Sequence, residues 1–337
     1  MALGQVGVDT VKDSLNNVLA PASAVFRNRI INGEFKISQY NGTSSVTPSS
    51  GISYPIDRFY SRNSAASKYT VQQLSASPPA NFIYYLGMTS ASAYSVTSTD
   101  TFTIGQRIEG FNVSDLNYGL STAKTATLSF WVQSSLTGTF GGSLQNNAQN
   151  RSYAFSYSIP TANTWTQISV TVAGDTTGTW ATGTSTGLDV LFGLGQGSTF
   201  STTAGSWGAG DYRNVTGATS VVGTSGATFY ITGVQLEVGL NATGFEYRQY
   251  QQELALCQRY YEVCSATYLQ AAQAGGGANI VTGQYRVTKR TTPTLTLTQL
   301  NGSGGGSFTN TVDNWSASAA VDGNGRIGYS ATSFAEL

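Results

Sequence analysis

The sequence predicts a mainly β protein: a jelly-roll β-sandwich plus a small C-terminal β domain, with a short N-terminal helix and a linking helix. Three observations predict this class. Short segments rich in aromatic and β-branched residues recur along the 337 residues. They are separated by turns of Gly, Ser, Thr and Asn, and two of the connections are long. Long connections are typical of jelly rolls, whose loops lie at the ends of the sandwich.

The composition excludes several classes of function. The chain has 17 basic and 17 acidic residues, no histidine, and only 10% charged residues, against about 25% in an average soluble domain. Without histidine there is no Ser-His-Asp or Cys-His machinery and no His-ligated zinc. A chain of zero net charge lacks the basic face of a nucleic-acid binder, and no apolar run reaches membrane-spanning length. We therefore expect neither nucleic-acid binding nor membrane insertion.

The N-terminal segment, residues 1–25, contains the pattern of a short amphipathic helix. Val8, Val11, Leu15 and Val18 recur at helical spacing and would share one face. So short a helix is marginal alone in water, so its apolar stripe packs either on its own domain or on another subunit. The segment lacks the features of a signal peptide, which predicts synthesis in a cytoplasm.

Residues 26–247 carry the strand signals. The clearest segments are 126–133, 151–159, 165–172, 188–195 and 228–239. Alternation within the first of these predicts that Trp131 is a core residue, and Trp165 is predicted to lie in the core or at an edge.

Residues 248–270 are predicted to form the linking helix, before the strands of the C-terminal domain, 271–337. Leu254, Cys257, Tyr261 and Cys264 recur at spacings of three and four residues. A disulfide between two cysteines of one helix is geometrically awkward. Both are therefore predicted to be buried, small hydrophobic residues.

Aromatic residues in loops are the candidate sugar contacts, because aromatic rings stack on the apolar faces of sugars. Trp180, Trp207 and Tyr212 lie in the two long connections, 174–186 and 198–227, and long loops often carry function. Tyr285 and Trp315 are the candidates in the C-terminal domain. The alternative for each ring is that it packs against its own domain.

Carboxylates are the remaining candidates for catalysis. A glycosidase needs two of them at a controlled separation. The acids near predicted strand ends are Asp57, Glu109, Asp175, Asp189 and Asp211. Nothing in the sequence pairs them, so we predict that the protein is not an enzyme.

An ordered set of motifs resembles tail-fibre and related virion appendage proteins of tailed bacteriophages. From residue 28 onward it comprises NRIINGEFKISQ, PIDRFY, QRIEG, TATLSFWVQSSLTGTF, GDTTGTW, ITGVQLEVG, ELALCQRYYE, TPTLTLTQL and SATSFAEL. In those proteins a jelly roll similar to carbohydrate-binding modules precedes a linking helix and a small β domain. The resemblance implies a structural virion protein, commonly a homotrimer, that is made in the host cytoplasm and contacts host surface glycans. Residues 1–25 would attach it to another virion protein.

The resemblance also raises the question of a structural Ca²⁺, which such jelly rolls often hold where the first and last strands meet. Calcium requires several oxygen ligands, and Glu34 and Glu237 are the candidates nearest that place. Thr232 and Gly233 stand where related modules usually carry paired acids. We therefore expect no cofactor.

The resulting hypothesis is multivalent, non-catalytic adhesion to host glycans, in which repeated weak sites give avidity. Trimer formation would also cover exposed β edges. Two alternatives stay open: a purely structural decoration protein of the capsid or tail, and a polysaccharide depolymerase.

Overall fold

The computed structural model describes residues 11–12, 18–19, 26–270, 279–301, 307–319 and 326–337. Strands make up 45% of the chain and helices 6%. Antiparallel sheets of seven and five strands form a sandwich, and two three-stranded sheets follow it. The predicted class, a β-sandwich plus a small β domain, is confirmed. No helix among the described residues is long and apolar enough to cross a membrane.

The described residues form three short 3₁₀ turns, at Gly110–Asn112, Ser114–Leu116 and Ser198–Phe200, and one α-helix, α1 (Tyr250–Gln258). The strands are β1 (Val11–Lys12), β2 (Val18–Leu19), β3 (Gly51–Ile56), β4 (Phe59–Asn63), β5 (Tyr69–Leu74), β6 (Tyr85–Ser90), β7 (Thr101–Glu109), β8 (Ala126–Ser134), β9 (Gly138–Gln145), β10 (Arg151–Ile159), β11 (Thr166–Val172), β12 (Thr186–Gln196), β13 (Ser201–Thr202), β14 (Trp207–Ala209), β15 (Asn214–Val215), β16 (Thr228–Val238), β17 (Tyr261–Gln270), β18 (Asn279–Gln284), β19 (Thr294–Asn301), β20 (Phe308–Asn310), β21 (Asn314–Ala319) and β22 (Arg326–Phe334).

The sheets mix strands that are distant in sequence. The seven-stranded sheet has the order β14-β10-β9-β12-β7-β4-β3, and the five-stranded sheet has the order β11-β8-β16-β6-β5. In the C-terminal domain the orders are β17-β22-β19 and β18-β21-β20. The chain crosses repeatedly from one large sheet to the other, as between β4 and β5 or β7 and β8, and these connections lie at the ends of the sandwich.

The core of the sandwich is built from alternate residues of each strand, since successive side chains point to opposite faces. On β8, Leu128, Phe130 and Val132 are buried, whereas Trp131 is partly exposed on the outer face. Phe130 packs edge-to-face against Phe192, with ring centroids 5.0 Å apart. The prediction that Trp131 is a core residue is therefore wrong: its neighbours occupy the inner face.

The linking helix is shorter than predicted. Helix α1 ends at Gln258, and the following residues form strand β17, which pairs with β22. Glu262 and Cys264 are buried, whereas Val263 between them is exposed, which is the alternation of a strand. Aromatic and β-branched residues favour this state, and pairing with β22 overrides the helical spacing. Both cysteines are free and buried, as predicted.

The described residues of the N-terminal segment do not form the predicted helix. Val11 pairs with Leu19 and Lys12 pairs with Val18 in a short antiparallel ladder, so these four residues are extended. Val8 and Leu15 lie outside the described residues. A helix of this length has little stability of its own, and β-branched valines favour extended backbone.

The C-terminal domain meets the sandwich through buried polar contacts. Arg58 of the sandwich pairs with Glu336, and each side chain is 1% exposed. The Arg58 guanidinium lies 3.5 Å from the centroid of the Tyr260 ring. Glu109 accepts hydrogen bonds from Arg259 at 2.9 and 2.6 Å and from the Tyr260 hydroxyl at 2.8 Å. Residues of both domains thus complete one buried network.

Candidate glycan-binding surfaces

The chain that follows β16, residues 239–246, folds back over the outer face of the five-stranded sheet. The Thr171 hydroxyl donates to the Leu240 carbonyl at 2.9 Å. The Glu237 carboxylate accepts from the Thr243 amide at 2.8 Å and from its hydroxyl at 2.7 Å. These contacts hold residues 239–246, called the wall below, in a fixed place above the sheet.

A groove of about 420 Å³ lies between the wall and the edge strand β11. Its floor includes Gln167, Ser169 and Thr171, which are the exposed alternate residues of β11. Wall residues 240–242 line the other side. The volume falls in the range of ordinary ligand sites, and the floor offers amide and hydroxyl groups that donate and accept hydrogen bonds.

Trp131 adjoins this groove, because it lies directly opposite Gln167 in the ladder between β8 and β11. Its indole packs beside Gly233, which adopts φ +63°. A Cβ atom at Gly233 would lie 2.6 Å from Cζ of Phe82 and 3.2 Å from Cδ1 of Trp131. Glycine is therefore required here, and it lets both rings lie close to the sheet.

Further aromatic rings occupy the same face. Tyr85 lies 5.1 Å from Tyr230 and 5.3 Å from Trp165, measured between ring centroids. Trp165 is partly exposed at the start of the edge strand, and its indole N–H donates to the Ser77 carbonyl at 3.0 Å. These aromatic rings thus share the outer face of the sheet with Trp131.

The outer face of this sheet is almost free of charge. All five of its strands belong to the described residues, and Glu237, which is 3% exposed beneath the wall, is the one charged side chain that points outward. The outward positions, derived from strand alternation and register, are Thr70, Gln72, Leu74, Tyr85, Gly87, Thr89, Thr127, Ser129, Trp131, Gln133, Gln167, Ser169, Thr171, Thr228, Tyr230, Thr232, Gln235 and Glu237.

The structure brings together two of the predicted sugar contacts, Trp180 and Trp207. Their ring centroids are 5.3 Å apart in an edge-to-face arrangement, and both rings contact Tyr118. The Trp180 indole donates to the Thr177 carbonyl at 3.0 Å, and the Trp207 indole donates to the Ala173 carbonyl at 2.6 Å. The cavity beside Trp180 measures about 20 Å³, room for one water molecule. This geometry favours the packing alternative, in which both rings fix the long loops to the sandwich.

The other three predicted sugar contacts, Tyr212, Tyr285 and Trp315, pack against different neighbours. Tyr212 packs its ring against Gly210, whose Cβ position lies 2.7 Å from Cε2 of the tyrosine. Tyr285 and Trp315 belong to the core of the C-terminal domain, where they are 8% and 1% exposed. Alternation along β21 turns Trp315 inward with Ala317. Neither core residue presents a ring face to a ligand.

The two candidate calcium ligands are engaged by the protein itself. Glu34 pairs with Lys36 at 2.5 Å. Glu237, besides its bonds from Thr243, accepts from Gln235 Nε2 at 2.8 Å and lies 3.6 Å from Arg27 Nε. Among the described residues, no cluster of three or more acidic or cysteine side chains could hold a metal ion.

The five acids considered as catalysts also have internal partners. Burial is the largest influence on Asp57 and Asp189 and raises the pKa of both. Burial also acts to raise the pKa of Asp175, but hydrogen bonds from Arg151 and Thr177 outweigh it and lower that pKa. The partners are Gln39 for Asp57, Arg259 and Tyr260 for Glu109, Arg151 for Asp175, Tyr60 for Asp189, and Arg213 for Asp211.

Sequence reasoning missed the groove, because its wall comes from a connection with no strand or helix pattern. The alternation of Gln167, Ser169 and Thr171 with apolar residues was a usable signal for an exposed polar face. The outward orientation of Trp131 also had a signal, because Trp131 shares its face of β8 with the polar residues Ser129 and Gln133, whereas Leu128 and Val132 share the face of Phe130.

Comparison with known proteins finds no match in sequence and several distant similarities in structure. No protein-family model matches the chain, and no curated protein matches it. A putative sugar binding protein from Bacteroides thetaiotaomicron is similar over 63% of this chain and 100% of its own, with 14% identity and a TM-score of 0.37. The module TmCBM61, in complex with beta-1,4-galactotriose, is similar over 63% and 99%, with 10% identity and a TM-score of 0.31.

A third likeness is to a phage protein. The enzymatically active domain of bacteriophage CBA120 tailspike protein 4 is similar over 63% of this chain, with 12% identity and a TM-score of 0.32. The chain spans 22% of the length of that protein. At these scores the likenesses carry no argument about ligand or activity, which must come from the site.

Proposed function

We propose that this protein is a non-catalytic glycan-binding protein, and that it serves as a tail fibre of a bacteriophage. The groove between β11 and the wall carries the proposal of glycan binding. Its floor of Gln167, Ser169 and Thr171 matches sugar hydroxyl groups, and the partly exposed Trp131 beside it offers an apolar face to a pyranose ring.

The surroundings of the acidic residues support binding without cleavage. Hydrolysis of a glycosidic bond requires one carboxyl group to donate a proton and a second to act as base or nucleophile. Asp175 instead accepts hydrogen bonds from two guanidinium nitrogens of Arg151, Nε at 2.8 Å and Nη2 at 2.7 Å. Glu109 is held in the same way by Arg259, inside the domain junction.

The virion role rests on the resemblance of the ordered motifs to phage tail fibres. In this proposal residues 1–25 attach the protein to another virion component, and three copies present their grooves together. Several weak sites on one particle would raise the effective concentration of each for a cell surface. Deleting residues 1–22 should then leave a folded protein that no longer joins the particle, and retained incorporation would refute the attachment role.

Binding of the full chain to an array of bacterial surface glycans, and to host cells, tests the adhesin proposal. We expect retention on at least one glycan and on cells that display it. A protein that joins virions and binds no glycan or cell would be a structural decoration protein. Steady release of reducing ends from a bound polysaccharide would instead identify a depolymerase.

A further inference from the structure

We propose that the groove along β11 selects uncharged sugar chains and rejects acidic ones. This inference rests on the proposed function and names the class of glycan that the site takes. It begins from the residues that line the groove: Gln167, Ser169, Thr171 and wall residues 240–242 offer amide, hydroxyl, carbonyl and aliphatic groups, and none of them is ionisable.

The lack of charge extends well beyond the groove itself. The outward positions of the neighbouring strands are Thr, Ser, Gln and aromatic residues, together with Leu74 and Gly87. The exception, Glu237, is occupied by Thr243, Gln235 and Arg27 and is covered by the wall. It neither attracts cations into the groove nor repels anions strongly, because Arg27 compensates its charge.

The lack of charged groups makes the groove selective because charged ligands lose more free energy than neutral ones when they leave water. A sugar hydroxyl that leaves water can exchange its hydrogen bonds for those of Gln167 or Ser169. A carboxylate or sulfate that leaves water loses far more solvation and needs a cation to compensate. No described lining residue can supply one, so whatever solvation an acidic group loses in the groove would go uncompensated.

The path of the bound chain follows from how the wall meets the floor. The bond between the Thr171 hydroxyl and the Leu240 carbonyl joins the two sides at one end of the groove. Alternate residues of a strand are about 6.7 Å apart, so Gln167 lies about 13 Å from that end. Trp131 stands next to Gln167. A short linear stretch of glycan fits along this line, with one ring over the indole.

Oligosaccharide pairs with the same linkage, in which one member carries a carboxylate in place of the C6 hydroxymethyl group, provide the test. The probes are galactan against galacturonan oligomers and glucan against glucuronan oligomers, titrated calorimetrically into the full chain at 50 and 500 mM NaCl. We expect at least one neutral member to bind at least tenfold more tightly than its acidic partner. Its affinity should change less than twofold between the two salt concentrations, because no charge pair is screened.

Two variants test whether the missing cation is the cause of the preference for neutral chains. Ser169→Lys places a cation on the floor and should confer binding of the acidic partner, with affinity that falls at high salt. The matched control, Ser156→Lys, introduces the same side chain at an exposed position of β10, on the other sheet, and should leave the preference for neutral chains intact. Should Ser169→Lys unfold, Gln167→Lys provides the same test.

The outcomes separate this inference from the proposed function. Tighter, salt-sensitive binding of an acidic oligomer by the unmodified protein would overturn the neutral selectivity and leave glycan binding in place. Failure to bind either member of every pair, together with failure on the array, would overturn both.

Discussion

Phe130 and Trp131 are adjacent in sequence, yet they serve opposite sides of the same strand. Phe130 is 1% exposed in the core, whereas Trp131 lies on the outer face beside the groove. Period-two alternation predicts such a division. The residues two positions away show which of the two points inward: Leu128 and Val132 share the face of Phe130, whereas Ser129 and Gln133 share the face of Trp131. In the fold, Phe192 and Tyr157 from strands distant in sequence pack against Phe130.

The glycine beneath Trp131 gives a prediction at the scale of one residue. Gly233→Ala should lower the free energy of unfolding by about 1–3 kcal/mol, because an alanine is strained at φ +63° and its Cβ would overlap Phe82. Urea denaturation measures the change. Gly183→Ala is the control, since its Cβ would meet no atom within 4 Å. Equal stability of the two variants would contradict the proposed fit.

Among the elements, the wall shows how a connection without a repeating pattern can shape a site. Residues 239–246 are placed by hydrogen bonds to Glu237, Thr127 and Thr171, all on the outer face of the sheet. Such contacts between side chain and backbone leave no periodic trace in a sequence. Strands β8 and β11, in contrast, were predictable from alternation alone.

Removing one of these contacts should loosen the wall. Thr243→Val keeps the shape of the side chain but removes the hydroxyl that donates to the buried Glu237 carboxylate. We expect a loss of about 1–3 kcal/mol in unfolding free energy, since the carboxylate would remain buried with one partner fewer. Amide hydrogen exchange in residues 239–246 should become faster. Unchanged protection there would show that the bond does not hold the wall.

The loop before β7 gives a prediction for acid. Burial alone would raise the pKa of Asp100, but hydrogen bonds from Ser64, Thr97 and Tyr94 outweigh it and lower the pKa to about 2. The folded state therefore prefers the ionised form, and this contribution to stability is complete above the ordinary pKa of 3.8. It is lost as the pH falls from there towards 2.

Asp100→Asn removes this titrating group and tests the prediction. Urea midpoints of the variant, measured between pH 6 and 2.5, should fall less steeply than those of the unmodified protein. Parallel curves would show that Asp100 does not contribute to the acid sensitivity.

The pair α1 and β17 marks a limit of local pattern analysis. The spacing of Leu254, Cys257, Tyr261 and Cys264 satisfies a helix, yet the chain changes from helix to strand after Gln258. Tyr261 pairs with Phe334, which lies more than 70 residues further along the sequence. No window of local spacing contains that information.

For the whole molecule, the buried network at the domain junction determines how the two domains are joined. Arg58→Met should destabilise the protein by about 3–5 kcal/mol, because Glu336 would remain buried without its cation. The double variant Arg58→Met, Glu336→Gln removes both charges and should recover much of the loss. Chemical denaturation of the two variants measures this. A single variant as stable as the unmodified protein would show that the pair does not hold the junction.

The composition of the sequence predicted the general character of the molecule better than it predicted the individual site residues. Scarce charge predicted neutral contacts, and the absence of histidine excluded catalysis by imidazole. Of the predicted sugar contacts, however, Trp315 and Tyr285 of the C-terminal domain lie in its core, and the loop residues Trp180 and Trp207 form a packed cluster. Exposure of a ring depends on what the fold stacks against it, and loop position alone does not report that.

The most direct test of glycan binding compares Trp131→Ala with Trp180→Ala in the full chain. Affinity for an array-identified glycan and unfolding free energy are measured on the same samples. We predict that Trp131→Ala weakens binding about tenfold or more, the equivalent of about 1.4 kcal/mol, and costs less stability than Trp180→Ala, whose ring packs against Trp207 and Tyr118. Trp180→Ala should lower stability and retain affinity. If Trp131→Ala binds as well as the unmodified protein and a folded Trp180→Ala does not bind, the groove is not the binding site. The site would then lie at the long loops around Trp180.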